Sequence, residues 1–146
     1  QGELTLQGTR YPDILKLWLS LQHLGNFNYS KIIDDSFKHT HLFKKKLIVI
    51  NGIKFACEPE MNIICFRLEP NFSNPNTYDE INKKLQKFLF KEHSIFFSII
   101  KYNGKNWLRG VLLNPFLKLK HLEKIVLCIK KFFYEKKNLK LKTSND

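Results

Sequence analysis

Two apolar runs, Ile95 to Tyr102 and Asn106 to Leu113, are separated by Asn103-Gly104, and this short segment restricts the possible folds more than any other. A tight turn between two strands needs positive φ at its centre. Asparagine tolerates that conformation and glycine adopts it freely. The segment therefore predicts an antiparallel hairpin, ended at Asn114-Pro115 because proline cannot donate to a ladder. A lone hairpin is barely stable in water, so the rest of the chain must supply more strands or a helical cover.

Hydropathy and turn residues fill in the remainder. Tyr11 to Leu24 reads as a helix, with Pro12 in its first turn, Asp13 at its positive end and Gly25 as its stop. Its apolar positions (Ile14, Leu15, Leu17, Trp18, Leu21, Leu24) cover more than half the circumference, which predicts burial on several sides or against another domain. A second helix is expected from Asn28 to about Lys46, capped by Asn28 or Ser30 and packing through Phe37 and Phe43. Asn51-Gly52 turns the chain into a strand over Ile53 to Cys57, and a second strand, Asn62 to Leu68, follows Glu58-Pro59-Glu60. Thr77 caps a third helix running to about Lys91, with Ile81, Leu85, Phe88 and Leu89 inward. Lys118 to Lys136 forms the last helix, through Leu119, Leu122, Val126, Ile129 and Phe133. The order α-α-β-β-α-β-β-α predicts an α+β fold, a small antiparallel sheet packed by helices on one face. Residues 28–136 form the domain, 1–27 lead into it, and 137–146 are a fraying basic tail.

With 146 residues, 43% of them hydrophobic, the chain can bury a core. No stretch approaches the ~18–20 uncharged apolar residues of a membrane helix; Leu42 to Ile50 is interrupted by Lys44, Lys45 and Lys46. Gln1 to Arg10 has no secretory core, which points to a soluble, cytoplasmic protein. Without an initiator methionine, the start resembles the interior of a longer chain. Cys57, Cys65 and Cys128 are odd in number and show no CxxC spacing, so no disulfide framework or zinc site is expected. Cys65 and Cys128 read as small core residues.

The net charge of +12 raises the alternative of a basic α+β module that binds nucleic acid. Only Arg10, Arg67 and Arg109 are arginine, however, and the other basic residues are lysine. Arginine forks carry most base and phosphate recognition, so a solvated lysine surface is favoured and nucleic acid is not expected as a partner.

Few residues suggest chemistry. His39 and His41, two apart on a helix, diverge, as do Asp34 and Asp35, so neither pair makes a metal or catalytic site. Arg109 is different, because it lies inside the otherwise uncharged strand Trp107 to Leu113. Alternation sets Trp107, Arg109 and Val111 on one face and Leu108, Gly110 and Leu112 on the other. A guanidinium there needs an anion. Two readings stand: an internal salt bridge to Glu58, Glu60 or Glu69, or a fork for a substrate carboxylate.

Several landmarks, in order, are similar to the group II pyridoxal-phosphate-dependent amino-acid decarboxylases. Gln7, Arg10, Asp13, Lys16 and Trp18 fit a stretch of that family. Glu58-Pro59-Glu60 and the strand through Cys65-Phe66-Arg67 resemble its Glu-Pro-Glu and Val-Cys-Phe segments. Trp107-Leu108-Arg109 with Asn114-Pro115 resembles its near-terminal Phe-x-Arg and Asn-Pro. The likeness runs from about Thr5 to Phe133.

The resemblance implies a fold-type-I enzyme, of which this chain would be the end of the large domain, a linking helix and the small C-terminal domain. It implies pyridoxal phosphate as cofactor of the complete enzyme, an amino-acid substrate, a missing N-terminal large domain and a homodimer. It makes Arg109 the substrate-carboxylate arginine and brings Gly8 and Thr9 near the cofactor. The family's Schiff-base lysine follows a histidine, and no His-Lys pair occurs here. The chain alone is therefore expected neither to hold the cofactor tightly nor to decarboxylate. A fragment of the related aminotransferases, without present activity, is the rival within the superfamily.

Overall fold

The computed structural model describes residues 12–143. Helix α1 spans Asp13–Leu47, strands β1 and β2 span Ile53–Phe55 and Ile63–Leu68, and helix α2 spans Tyr78–His93. Strands β3 (Ser98–Tyr102) and β4 (Lys105–Val111) precede helix α3, Leu119–Thr143. The four strands form one antiparallel sheet in the order β1-β2-β4-β3. The fold is α+β, as the pattern of elements predicts.

The hairpin forms as the Asn103-Gly104 signal requires. Tyr102 pairs with Lys105, leaving a two-residue turn whose φ values are 49° and 72°. Positive φ at both residues matches the twist of the flanking strands.

The two N-terminal helices of the sequence reading join into one. Gly25 interrupts α1 with φ 71° and ψ 158°, and the helix resumes at once. Asn28, expected as a cap, instead donates from its side-chain amide to the Leu24 carbonyl at 2.9 Å, satisfying an acceptor at the kink. The domain limit drawn at residue 27 thus falls within α1, close to this kink. At the other end, α3 continues past Lys136 to Thr143.

All three helices lie on one face of the sheet. Phe43 and Leu47 of α1, Leu85 and Leu89 of α2, and Leu122, Val126, Ile129, Phe132 and Phe133 of α3 close over Ile53, Ile64, Phe66, Leu68 and Leu108. Phe43, Phe66 and Phe97 meet at ring-centroid distances of 5.3 to 6.3 Å. Each such contact contributes about 0.5–1.5 kcal/mol beyond area burial.

Helix α2 begins after the turn Pro75–Thr77. Thr77 precedes its first residue, but the hydroxyl donates to the Asn74 carbonyl rather than capping the helix. Asp79 and Glu80 in the first turn, and Lys91 and His93 in the last, suit the helix dipole. The helix runs two residues past Lys91 because Ser94 takes a left-handed conformation, and the N–H groups of Ser94 and Ile95 close on Phe90 and Leu89. Residues 95 to 97 therefore connect rather than pair, and β3 starts only at Ser98.

Candidate functional site

The sheet's second face is turned away from the cluster that the helices close over. Alternation along β2, β3 and β4 puts Ile63, Cys65, Arg67, Ser98, Ile100, Trp107, Arg109 and Val111 there, as the strand pairing confirms. Arg109 is central: it pairs with Cys65 on one side and Ser98 on the other. The Ser98 hydroxyl donates to the Arg109 carbonyl at 3.3 Å. Arg109 itself is half-buried, while Val111 beside it is 53% exposed.

Among the described residues, none of the three proposed carboxylates meets Arg109. Glu58 pairs with Lys44, Glu60 is exposed, and Glu69 Oε1 stands 3.1 Å from Arg67 Nε. The internal salt-bridge reading is thus left without its partners, and Arg109 presents a guanidinium to an open face.

Sequence reasoning passed over Arg67. It is 2% exposed, with Nη2 3.2 Å from Asp79 Oδ1 as well as Nε close to Glu69. Its guanidinium centre lies 5.5 Å from the Trp107 ring and 6.0 Å from Tyr78. The contact at Nε is one of charge, since Nε and Nη1 have no aligned hydrogen-bond acceptor. A signal was present: residues two apart on a strand share a face, so Arg67 and Glu69 are natural partners.

Cys65 is not the core residue expected of it, because it sits half-buried on this open face. Burial raises its thiol pKa and the nearby Cys57 thiol raises it further, while the Arg109 guanidinium acts to lower it. Cys128 does lie in the core, where burial raises its thiol against the lowering effect of Lys124 and Lys131.

Gly8, Thr9 and Arg10 lie outside the described residues. Among those described, no group of three or more His, Cys, Asp or Glu could hold a metal ion. His39 lines a cleft with Asp35, Lys31 and Asn114, and His41 faces solvent. No described helix is long and apolar enough to cross a membrane. Much of the first half of α1 is exposed, including Ile14, Leu17, Trp18 and Leu19.

This helix-and-sheet arrangement matches the C-terminal part of pyridoxal-phosphate decarboxylase structures. It superposes on a tryptophan decarboxylase of Catharanthus roseus in complex with L-tryptophan with a TM-score of 0.70 and 22% identity, covering 80% of this chain and 26% of the other. The glutamate decarboxylase domain of a diaminobutyrate-pyruvate transaminase and L-2,4-diaminobutyrate decarboxylase from Vibrio parahaemolyticus gives 0.71 and 21%, covering 84% and 26%.

In sequence the chain is similar to the C-terminal region of group II pyridoxal-phosphate decarboxylases, as its landmarks indicate. It is 25% identical over 122 residues to an L-2,4-diaminobutyrate decarboxylase of Acinetobacter baumannii, and 24% identical over 123 residues to an acidic amino acid decarboxylase of Mus musculus. These matches cover 84% and 78% of this chain. The chain spans about a quarter of the length of these relatives, 24% and 22%. No protein-family model matches it.

Proposed function

We propose that this chain is the C-terminal portion of a pyridoxal-phosphate-dependent amino-acid decarboxylase, and that Arg109 receives the substrate's α-carboxylate. The observation that carries the reading is a planar cation at the centre of an open sheet face, without an internal carboxylate among the described residues. A guanidinium fork takes a carboxylate through two parallel hydrogen bonds, fixing its plane as well as its position. Decarboxylation depends on that position, because the bond from Cα to the carboxylate must align with the electron sink.

The described residues do not by themselves fit the cofactor. Arg109 is surrounded on its face by Ile63, Cys65, Ser98, Ile100, Trp107 and Val111, and none of these is a lysine or a carboxylate. Bound elsewhere in the complete enzyme, the cofactor would supply the electron sink. In this reading an N-terminal large domain holds it, covers the exposed first half of α1 and forms the sites with a second subunit.

The test is Arg109→Lys in an enzyme assembled from this chain and the upstream part of such a decarboxylase. The expected outcome is a KM for the amino acid at least tenfold higher with unchanged cofactor absorbance. An unchanged KM refutes the role of Arg109. Treating the chain alone with pyridoxal phosphate and borohydride should leave no stoichiometric adduct at a single lysine; such an adduct refutes the dependence on an upstream part.

A further inference from the structure

Whether Arg109 can serve as a fork depends on what holds it, and the neighbouring residues on its face are unusually constrained. Continuing the β2–β4 register one residue beyond Phe66↔Leu108 brings Arg67 opposite Trp107, whose ring lies 5.5 Å from the guanidinium centre. The Trp107 indole N–H donates to the Tyr102 carbonyl at 3.1 Å, which ties the ring to β3. Asp79, which pairs with Arg67, also accepts the backbone N–H of Asn106 at 3.0 Å, immediately before Trp107. One side chain thus ties the first turn of α2 to both strands. Trp107 is buried, 8% exposed, as is Arg67 opposite it, on a face whose other residues are half-buried or exposed.

Resting on the reading of Arg109 as a carboxylate receptor, we infer that Arg67 and Trp107 are its positioning residues. Trp107 precedes Arg109 by two residues on the same face, while the residues paired with Arg109 across the sheet, Cys65 and Ser98, are small. Along its face Arg109 therefore follows a buried aromatic residue, stands between small residues on the adjacent strands and precedes the exposed Val111. Restricting it before the anion arrives reduces the freedom lost on binding. The clamp leaves the local charge balanced: Arg67 and Lys105 (Nζ 4.0 Å from Glu69 Oε1) offset Glu69 and Asp79. Arg109 remains the uncompensated charge at the centre of the face.

The chain has three arginines, so its side-chain Nε–H groups give three resolvable NMR signals. The {1H}–15N NOE of the Arg109 Nε–H should be that of a restrained group in the unmodified chain and in Trp107→Phe. In Trp107→Leu it should fall to that of a free side chain. In the assembled enzyme Trp107→Leu should raise KM about tenfold, and Trp107→Phe less than twofold. If Trp107→Leu does not fold, Arg67→Lys, which keeps the charge but loses the flat stacking group, should lower the same NOE. An unchanged NOE in the folded variant overturns the positioning role. An unchanged KM in Trp107→Leu, with Arg109→Lys raising KM, overturns it too but leaves the carboxylate reading standing. If neither variant changes KM, both fall.

Discussion

Glu69 Oε1 lies 3.1 Å from Arg67 Nε, so a carboxylate that the sequence offers to Arg109 is already engaged by a different arginine. The two arginines consequently have opposite characters. Arg67 is buried, paired and stacked, whereas Arg109 is half-buried with no ion-pair partner among the described residues.

Replacing Arg67 with methionine should destabilise the domain by about 2–4 kcal/mol. Removing one member of a buried pair strands the other charges, at a full cost of about 3–5 kcal/mol. Partial exposure of Glu69 and Asp79 (side chains 21% and 39%) lowers that figure. A urea titration should show a lower midpoint at an unchanged slope.

Asn82 is fully buried. Its Oδ1 accepts the Leu68 N–H at 2.8 Å, and its Nδ2 donates to the carbonyls of Leu68 and Tyr78 at 2.9 and 2.7 Å. Asn82→Ala should cost about 2–3 kcal/mol, because it strands buried backbone groups at the end of β2. Hydrogen exchange at the Leu68 amide should accelerate along with the loss of stability.

Two glycines of β4 and its turn should fail for different reasons. A Cβ on Gly104 meets nothing within 4 Å, so Gly104→Ala pays only for its positive φ, about 1–2 kcal/mol. A Cβ on Gly110 would stand 2.7 Å from Phe97 Cε1, so Gly110→Ala overpacks the core by about 1–3 kcal/mol. In a Phe97→Leu background the Gly110→Ala penalty should shrink while that of Gly104→Ala stays the same, as a double-mutant cycle can measure.

The raised Cys65 thiol gives a pH-dependent labelling order. Less thiolate is present at any pH below its raised pKa, so at pH 8 iodoacetamide should modify the exposed Cys57 before Cys65. Labelling of Cys65 should rise steeply in alkali. The fold favours the protonated thiol, so its contribution to stability is present below the unfolded thiol pKa and is lost as pH rises toward the folded value. Peptide mass spectrometry follows the labelling, and a smaller alkaline loss of stability in Cys65→Ala checks the linkage.

The elements legible beforehand were those set by short-range chemistry. Asn103-Gly104 specified its hairpin, and the apolar spacing of Leu85 and Leu89, and of Leu122, Val126 and Ile129, picked out residues that are buried. Gly25 marked a real break, but a left-handed glycine can either end a helix or kink it. Whether the chain resumes as helix depends on how freed carbonyls are satisfied, and Asn28 supplies a donor. Burial of Cys65 could not be judged from its apolar neighbours, since a strand with one open face has the same local composition as one buried on both.

By itself, the sequence determined the α+β class, the hairpin, the face on which Arg109 stands and the likeness to decarboxylase C-terminal regions. Those follow from backbone preference, side-chain period and ordered landmarks along the chain. Which arginine is neutralised was decided only by the tertiary structure. Pairing β2 with β4 and seating the first turn of α2 beside them brings Glu69, Asp79 and Trp107 to Arg67. Ion pairs and ring contacts fall off within a few ångströms, so proximity in space, rather than along the chain, gave Arg67 its carboxylates and left Arg109 without an ion-pair partner among the described residues.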